Sequence, residues 1–380
     1  MSDRPDLSTR LAGLAQGLRT IGRAVPGIDV FAAVTFAPVP LIVLGALFGG
    51  IWPWLAVAWI GGLIYALDRQ IARAAPDAPE GREFPAADRL SVALAIAHFG
   101  LLLLGVAALS GVTGLSIPAR IALFFACGLF FGQVSNSNAH ELIHRADKRL
   151  FVLGKWVYIS LLYGHHASAH RLVHHRFVAT RDDPNSAVLG ESFWAFAPQA
   201  WTGAFIAGWE MEEARRKRLA PEGWRARLAA VNPYVSYVLG ALWCVLLVGG
   251  LFGIAGVVAY LALCLYAQMQ ILLADYVQHY GLERAQIATG QYEPVSARHR
   301  WDAPDPVSSL WMLNAPRHSD HHAHPARPYP ELRLGAITAE GRPVLPRSLP
   351  AMATLALIPP LWHRVMDPRA SALRRPARGV

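Results

Sequence analysis

The sequence is poor in charge and in cysteine. Asp, Glu, Lys and Arg make up 16 % of the 380 residues, whereas hydrophobic residues make up 54 %. A soluble domain would carry roughly 25 % charged residues, so the composition argues against a soluble protein, although the length would allow two soluble domains. Cys127, Cys244 and Cys264 lie inside apolar runs without C-x-x-C spacing. They suggest neither a disulfide framework nor a thiolate metal site, and we expect small core residues.

Charge is missing above all from six long stretches, each about long enough to cross the ~30 Å hydrocarbon core of a membrane as a helix. They are residues 29–48, 51–67, 91–110, 118–136, 233–251 and 254–274. Because short connectors join them in pairs, the sequence predicts an all-α integral membrane protein with six transmembrane helices arranged as three hairpins. No short apolar core with a cleavage site comes first, so we expect no signal peptide.

Positive charge is distributed unevenly around these stretches. Nearly all Lys and Arg lie in the arm 1–28, the 68–90 loop, the 137–232 segment and the C-terminal residues, and almost none in the connectors, apart from Arg120. The positive-inside rule then places both termini and the polar segments, as a helical or loop cap, in the cytoplasm. The same bias explains the net charge of +9. A basic face could also bind an acidic electron carrier or anionic lipid; no nucleic-acid-binding motif accompanies it.

The chain divides into three parts: an N-terminal cytoplasmic arm (1–28), a membrane domain (29–345) and a C-terminal cytoplasmic tail (346–380). The arm contains leucines at helical spacing (Leu7, Leu11, Leu14 and Leu18) and four arginines (Arg4, Arg10, Arg19 and Arg23). This pattern fits an interfacial helix, and a disordered basic arm is the alternative.

Histidine is the residue that stands out in the polar segments. Of fifteen histidines, nine form four clusters at the ends of apolar runs. Three clusters contain an i, i+4 pair, which on a helix places both imidazoles on one face, about 6 Å apart along the axis. Imidazole is a common ligand of transition metals, and nine donors exceed the four that a tetrahedral zinc takes. We therefore expect two metal ions. The nine residues are His140, His144, His170, His174, His175, His279, His318, His321 and His322.

Five acidic residues could orient these imidazoles from behind. Asp275 lies four residues before His279 and could accept a hydrogen bond from its ring, which would fix the tautomer. The other candidates are Glu141, Asp182, Asp183 and Asp320. Each of them could equally be a helix cap or a surface charge. Of the remaining histidines, we expect His98, inside an apolar stretch, to be a hydrogen-bonded structural residue, with similar roles for His299, His324 and His363.

Two other classes of protein remain open at this point. The spacing of His140, Glu141 and His144 also fits a zinc metalloprotease with the glutamate as general base, but that site needs only one further ligand and leaves six clustered histidines without a role. A metal transporter would place ligands along the spans, where only His98 lies.

Four motifs, in this order, resemble those of the membrane-bound alkane hydroxylases, also called alkane 1-monooxygenases. These belong to the histidine-box superfamily of di-iron membrane desaturases and hydroxylases. The motifs are NAHELIHR at 138–145, YGHHASAHRLVHH at 163–175 with VATRDDPNSA at 178–187, HYGL at 279–282, and NAPRHSDHHAHP at 314–325. The similarity extends from about residue 30 to about residue 345. Ala169 departs from the family pattern, which has an acidic residue there. Asp275 and Gln278 stand in place of Asn and Glu, and Pro316 in place of Gln.

The resemblance implies that the nine clustered histidines bind two iron ions (Fe2+/Fe3+), and that His165, with His166, lies outside the ligand set. It implies a catalytic domain at 29–345, with a fatty acid desaturase-type fold, that hydroxylates the terminal methyl of a medium- or long-chain alkane with O2. Electrons would come from rubredoxin or ferredoxin and an NAD(P)H-dependent reductase. A xylene-type aromatic-methyl hydroxylase and a fatty-acid desaturase are the alternatives within the superfamily. A hydrophobic substrate would reach a pocket between the spans from the lipid bilayer. Trp59 is our candidate for lining that pocket, and a place in an interfacial aromatic belt is its alternative.

Overall fold

The computed structural model describes residues 23–71, 74–219, 222–224, 226, 231–338 and 341–374, and most of these residues are helical. The predicted helix of the N-terminal arm falls in residues 1–22, outside the described residues. The α-helices are α1 (Ile28–Phe36), α2 (Pro38–Phe48), α3 (Trp52–Val57), α4 (Ile64–Ile71), α5 (Ala87–Ser110), α6 (Ile117–Phe130), α7 (Asn136–Ile143), α8 (Lys148–Ser160), α9 (His166–Ala169), α10 (His175–Phe177), α11 (Phe193–Leu219), α12 (Pro233–His279), α13 (Pro306–Trp311), α14 (His318–Ala323), α15 (Leu349–Ala356) and α16 (Pro359–Leu373).

Several helices continue into one another through π-helical segments. These segments are Ala58–Leu63, Phe131–Ser135 and His170–His174. Short 3₁₀ turns occur at Ala297–His299 and Tyr329–Glu331. Strand structure in the described part of the chain is confined to one antiparallel hairpin, β1 (Gln286–Ala288) with β2 (Gln291–Tyr292). The predicted all-helical class is therefore confirmed for the bulk of the protein.

Four helical segments are long and apolar enough to cross a membrane, by length and composition: Ile28–Phe48, Ala87–Ser110, Ile117–Ile143 and Pro233–His279. The last contains 47 residues, which is roughly 70 Å of helix and more than twice the thickness of a hydrocarbon core. The stretch predicted at 51–67 is also helical, through α3, the first π-helical segment and α4. The structure thus shows four candidate spans, and the number of six crossings stays a prediction.

Helix α12 is interrupted at Gly253, whose backbone angles are φ 64° and ψ −162°. Only glycine adopts this region without strain. A Cβ on Gly249 would lie 3.3 Å from Cγ2 of Val257, although residues eight apart in a straight helix are about 12 Å apart. The two halves of α12 therefore fold back on each other at the predicted boundary between 233–251 and 254–274.

The outer surface of α12 is strongly apolar. Leu246 is 64 % exposed, Ile254 79 % and Leu265 70 %. Large apolar side chains exposed in such numbers mark an interaction with lipid or another apolar partner rather than with water. This surface supports an integral membrane protein.

The inner surfaces pack closely around the histidine-bearing segments. Helix α7 lies against α8, where a Cβ on Gly154 would come within 2.6 Å of Leu142 Cβ and 2.9 Å of the Ala139 carbonyl oxygen. His98 on α5 bonds to Ser135 and Ser160, each at 2.9 Å, so its predicted structural role is confirmed. These contacts fix the position of α7, which carries His140 and is followed directly by His144.

The last two helices cover the end of α12. Helix α15 packs against α12 and α16 packs against α15, with Trp362 fully buried. The Tyr280 hydroxyl, one residue after α12, lies 3.0 Å from Nδ1 of His363. Residues 346–374 are thus folded against the segment that carries His279.

Candidate metal centre

Five of the predicted histidines form one compact group, which we call the five-histidine group. Its members are His140, His144, His170, His175 and His321. Nε2 of His170 lies 2.7 Å from Nε2 of His140 and 3.0 Å from Nε2 of His175. Nε2 of His321 lies 3.2 Å from Nε2 of His175. Helices α7 and α14 and the π-helical segment His170–His174 with α10 supply these rings from three distant parts of the chain.

The other four predicted histidines form a second compact group, the four-histidine group: His174, His279, His318 and His322. Nε2 of His318 lies 3.0 Å from Nε2 of His279 and 3.0 Å from Nε2 of His322. The His174 ring centre is 4.6 Å from that of His279. All four side chains are buried.

The two groups lie side by side because neighbouring residues divide between them. His174 belongs to one group and His175 to the other, and the same holds for His322 and His321. The ring centres of His175 and His322, one from each group, are only 4.3 Å apart. The structure therefore brings together all nine histidines that the sequence predicted, as two adjacent sets of donors.

The π-helical segment His170–His174 explains how one element serves both groups. A π-helical turn contains more residues than an α-helical turn and often marks a functional site. His174 and His175, four and five positions after His170, therefore both lie about one helical turn further along the segment. The i, i+4 spacing would place His170 and His174 on one face of an α-helix, whereas in the structure they belong to different groups.

The donor geometry fits metal ions. Two nitrogens about 2.1 Å from one metal ion are about 3.0 Å apart at a right angle and about 3.4 Å apart at the tetrahedral angle. The closest Nε2 pairs are separated by 2.7–3.2 Å, which is nearer to the right-angle value than to the tetrahedral value. Within each group all ligand atoms lie within 4.8 Å of one another. Nε2 of His144 and of His174 are buried and have no hydrogen-bond partner in the described part of the protein.

Burial keeps most of these rings neutral, as metal ligands must be. Desolvation is the main cause that lowers the pKa of the imidazoles outside the candidate spans, namely His144, His170, His175, His318, His321 and His322. His174 differs. Burial lowers its pKa, but the Asp183 carboxylate and its hydrogen bond outweigh burial, so the pKa is raised.

Asp183 is the predicted carboxylate that contacts a clustered ring. Nδ1 of His174 lies 2.8 Å from Oδ2 of Asp183, which also accepts a hydrogen bond from the Ser186 hydroxyl at 2.6 Å. A carboxylate that accepts from Nδ1–H leaves Nε2 of the same ring as the donor to a metal. Both Asp183 and His174 are buried.

The prediction that Asp275 accepts a hydrogen bond from His279 is wrong. Asp275 Oδ2 instead accepts from Nδ2 of Asn185 at 2.7 Å, and Nδ1 of His279 has no partner among the described residues. The side chain is directed toward the 183–186 turn because Asn185 offers it a buried donor. The sequence analysis missed Asn185 and Ser186, although both lie in the motif at 178–187.

The remaining predicted acids bond elsewhere. Glu141 forms an ion pair with Arg145 at 2.9 Å and accepts from the backbone N–H of Tyr329, so it does not have the position of a protease general base. Asp320 pairs with Arg327 and accepts from the Arg333 N–H. Asp182 is exposed at the surface.

His165 and His166 lie next to the five-histidine group without joining it. The His166 ring is stacked on Tyr163 and is centred 5.0 Å from the His170 ring. His165 packs against the Trp201 ring at 5.1 Å. Both histidines are buried, and they form a layer between the metal centre and α11.

An apolar groove of about 730 Å³ opens on the other side of this layer, between α6, α11 and α12. Its walls include Phe124, Trp194, Trp201, Tyr266, Gln268 and Met269. Trp201 Nε1 donates to Gln268 Oε1 at 2.9 Å, and Gln268 Nε2 donates to the Leu161 carbonyl oxygen at 2.7 Å. This hydrogen-bonded pair forms the inner wall. Trp59 lies in the π-helical segment Ala58–Leu63 and is not part of this lining, so its predicted role stays a prediction.

Comparison with known proteins defines the class. Residues 115–356 match the fatty acid desaturase family, and this region contains all nine clustered histidines. The chain therefore belongs to the fatty acid desaturase family and, within it, to the alkane 1-monooxygenases, as the resemblance of the four motifs predicted.

Individual relatives support this assignment over most of the chain. The chain is 30 % identical over 337 residues to alkane 1-monooxygenase 2 of Pseudomonas aeruginosa, covering 87 % of each protein. It is 36 % identical over 248 residues to the alkane 1-monooxygenase of Ectopseudomonas oleovorans, covering 65 % of this chain and 60 % of the relative. It is 26 % identical over 342 residues to the xylene/toluene monooxygenase hydroxylase component XylM of Pseudomonas putida, covering 85 % and 84 %.

Proposed function

We propose that the protein is a membrane-bound monooxygenase that hydroxylates the terminal methyl group of an alkane to a primary alcohol with O2. The observation that carries this proposal is the convergence of nine imidazoles from distant segments into two adjacent groups. The similarity to alkane 1-monooxygenases over most of the chain supports the reaction.

The metal ions in this proposal are two irons, one for each histidine group. When bound, they would supply the activation of O2 and the oxidation of the C–H bond. A purely imidazole donor set suits iron as well as other transition metals, so the choice of iron comes from the family.

The chain's own residues would hold and shield this centre. The Asp183 carboxylate accepts a hydrogen bond from Nδ1–H of His174, which would leave Nε2 as the atom that binds the metal. Burial of the four-histidine group and of His165 and His166 excludes water from the reacting region. Exclusion of water strengthens electrostatic interactions in a site and suppresses side reactions.

The groove between α6, α11 and α12 is the proposed approach for the hydrocarbon. Apart from Gln268, its lining is apolar or aromatic, and at its rim Trp194 is 54 % and Leu265 70 % exposed. An alkane dissolved in the bilayer could therefore enter from the side. The layer formed by His165 and His166 separates Trp201, in the wall of this groove, from the His170 ring.

The proposed topology has six crossings of a bacterial inner membrane, with both termini and the metal centre in the cytoplasm. Three observations support it: four candidate spans, the fold-back of α12 at Gly253, and the concentration of Lys and Arg outside the short connectors. A cytoplasmic centre is accessible to a soluble donor, so we propose rubredoxin or ferredoxin, with its NAD(P)H-dependent reductase, as the electron source.

An aromatic-methyl hydroxylase is the second candidate function. The similarity to XylM extends over 85 % of the chain, and the aromatic groove walls suit a planar ring as well as an alkyl chain. A single product screen distinguishes the two functions.

The test combines metal analysis with that screen. We expect about two irons per chain in the purified protein and a primary alcohol from one or more alkanes between hexane and hexadecane, supplied with rubredoxin, its reductase and NADH. Benzylic alcohols from xylenes would favour the second candidate. One zinc per chain with peptidase activity would overturn both.

Replacement of His279 tests the metal centre itself. His279→Ala removes one donor from the four-histidine group, so we expect loss of most hydroxylation and of bound metal. The matched control is His324→Ala. His324 lies two residues after His322 in the sequence, but its side chain is exposed and pairs with Asp320. Near-normal turnover by His279→Ala would contradict the assignment.

A further inference from the structure

Arg300 is a fully buried arginine beside the four-histidine group. Its exposure is 0 %, and its backbone is held against the end of α12, because the next residue, Trp301, donates from its backbone N–H to the Gln278 carbonyl oxygen and from Nε1 to that of Tyr280. The guanidinium makes one long hydrogen bond, from Nη1 to the Ser319 carbonyl oxygen at 3.4 Å. Ser319 directly follows His318, so the side chain ends next to that ligand.

Two donors of this guanidinium lack a protein partner. Nε and Nη2 are buried and make no hydrogen bond within the described residues. They form one edge of the planar group, and this edge presents two parallel N–H bonds to a single acceptor. Buried arginines ordinarily use such donors on a carboxylate or on carbonyl oxygens, because an unpaired buried charge is strongly unfavourable.

Arg317 provides the contrast within the same protein. It is also buried, but its Nη1 donates to Asp77 at 2.6 Å and to the Leu332 carbonyl oxygen at 2.8 Å, and its Nη2 to the Ala75 carbonyl oxygen at 2.7 Å. The absence of such contacts at Arg300 is therefore not a general property of buried arginines in this fold.

The nearest carboxylate is already engaged. Asp302 Oδ1 accepts from the Ser319 backbone N–H at 2.8 Å, and its Oδ2 accepts from Nη2 of Arg342 at 2.6 Å. Asp302 raises the pKa of Arg300 by its charge, but burial dominates and lowers that pKa to about 9. At neutral pH the guanidinium is still charged, and Asp302 does not hydrogen-bond to it.

The two histidine groups add no negative charge at this edge. Both histidine groups consist of imidazoles alone. Burial is the main cause that lowers the pKa of His318 and of His322, and the charge of Arg300 is the second cause. The guanidinium therefore lies near the four-histidine group. Bound metal ions would add further positive charge. The two unpaired donors of Arg300 therefore lie beside neutral rings and have no acceptor among the described residues.

We propose that the Nε–Nη2 edge of Arg300 binds a small monovalent inorganic anion, of the size of chloride or azide, beside the four-histidine group. The anion accepts both unpaired N–H donors and neutralises the buried charge. This anion site is separate from the apolar groove between α6, α11 and α12, and it does not depend on the proposed reaction.

Azide is the probe, because its infrared stretching band shifts when the ion leaves water for a binding site. Full-length protein in detergent is titrated with azide both after metal removal and after metal loading, and dissociation constants are taken from the shifted band. The variants are Arg300→Gln, which removes the charge, and Arg300→Lys, which keeps the charge but lacks the two-donor edge. The control is Arg284→Gln, because Arg284 is another nearby cation.

We expect saturable azide binding to the parent protein in both metal states and displacement of azide by chloride. Loss of two charged hydrogen bonds predicts binding at least about tenfold weaker in Arg300→Gln, an intermediate value in Arg300→Lys, and a value close to that of the parent in Arg284→Gln. Equal affinity in parent and Arg300→Gln would overturn the proposal. So would binding only in the metal-loaded protein, which means that the metal alone holds the ion, or no binding at all. If Arg300→Gln does not fold, Arg300→Lys and chloride displacement still decide.

Discussion

At the scale of single residues, the pair His174 and Asp183 shows how one contact defines a donor. The carboxylate lies 2.8 Å from Nδ1 of the ring and also accepts from Ser186. It therefore fixes both the tautomer and the rotation of the imidazole. Outer carboxylates of this kind typically strengthen metal binding by 10- to 100-fold.

Replacement of this carboxylate should weaken metal binding without removing a ligand. In Asp183→Asn, the neutral amide is a poorer acceptor for Nδ1–H, so we expect metal affinity at the four-histidine group to fall by roughly 10- to 100-fold. Dialysis against graded chelator followed by elemental mass spectrometry measures this change.

Asp182→Asn is the matched control for that change, since Asp182 is the adjacent acid and is exposed. We expect it to retain the metal affinity of the parent. Equal metal retention in both variants would show that the contact with His174 does not matter for binding.

Sequence reasoning at this scale predicted which imidazoles come together better than it predicted the contacts of the acids around them. All nine histidines were predicted, because repeated i, i+4 spacing is a strong local signal and family motifs reinforced it. The directions of Asp275 and Asp320 were not predictable, since Asn185 and Arg327 determine them. Asn185 lies ninety residues from Asp275 in sequence, and no local pattern connects the two.

At the scale of secondary-structure elements, the position of α7 depends on its contact with α8. Gly154 is the point of closest approach, because a side chain there would meet both Leu142 and the Ala139 carbonyl oxygen. Helix α7 carries His140 and leads directly into His144. The packing of two helices thus determines where two donors of the five-histidine group lie.

Gly154→Ala tests this dependence. The added methyl group must displace α7, so we expect destabilisation by about 1–3 kcal/mol and lower metal occupancy in the five-histidine group. Thermal unfolding and metal analysis of the purified variant measure both effects.

The control is Gly100→Ala in α5, where a Cβ would meet no atom within 4 Å. Because alanine favours helix over glycine, that variant should be as stable as the parent or slightly more stable. If Gly154→Ala unfolded at the same temperature as Gly100→Ala, the close approach would not be what positions α7.

Element boundaries were predicted where the local signal was strong. A break in α12 was expected between the stretches 233–251 and 254–274, and it occurs at Gly253. The π-helical segment His170–His174 was not expected, because the spacing of the histidines does not distinguish a π-helical turn from an α-helical turn. Helix α11 was also missed, because its apolar residues from Phe193 to Trp209 lie within the 137–232 segment, which was predicted to belong to the polar cap.

At the scale of the whole molecule, the two histidine groups are mechanically linked. His174 and His175 are adjacent, as are His321 and His322, and each pair divides between the groups. A movement that opens one group must therefore displace donors of the other. The two metal sites should gain and lose their ions together.

Native mass spectrometry during slow chelation tests this link. We expect species with two metals and with none to dominate, and a species with one metal to stay a minor component throughout. His279→Ala, which alters only the four-histidine group, should then deplete both sites. A long-lived one-metal species in the parent protein would show that the groups are independent.

The membrane class was predictable because apolar runs and charge bias are properties of composition. A pocket between the spans was expected, but the residues that line the apolar groove were not predictable, because it forms where α6, α11 and α12 meet, and these helices lie far apart in the sequence. Trp59 was chosen from one span alone, whereas the aromatic walls of the groove come from several elements.

If an alkane enters the groove from the side, the substrate concentration that determines the rate is the concentration in the membrane. The rim residues Trp194 and Leu265 are exposed, so an alkane that used the proposed approach would come from the bilayer rather than from water. Each added methylene favours partition into lipid by about 0.8 kcal/mol, or roughly fourfold. Selection among chain lengths would then begin in the bilayer, as a difference in mole fraction, before any side chain of the protein touches the alkane.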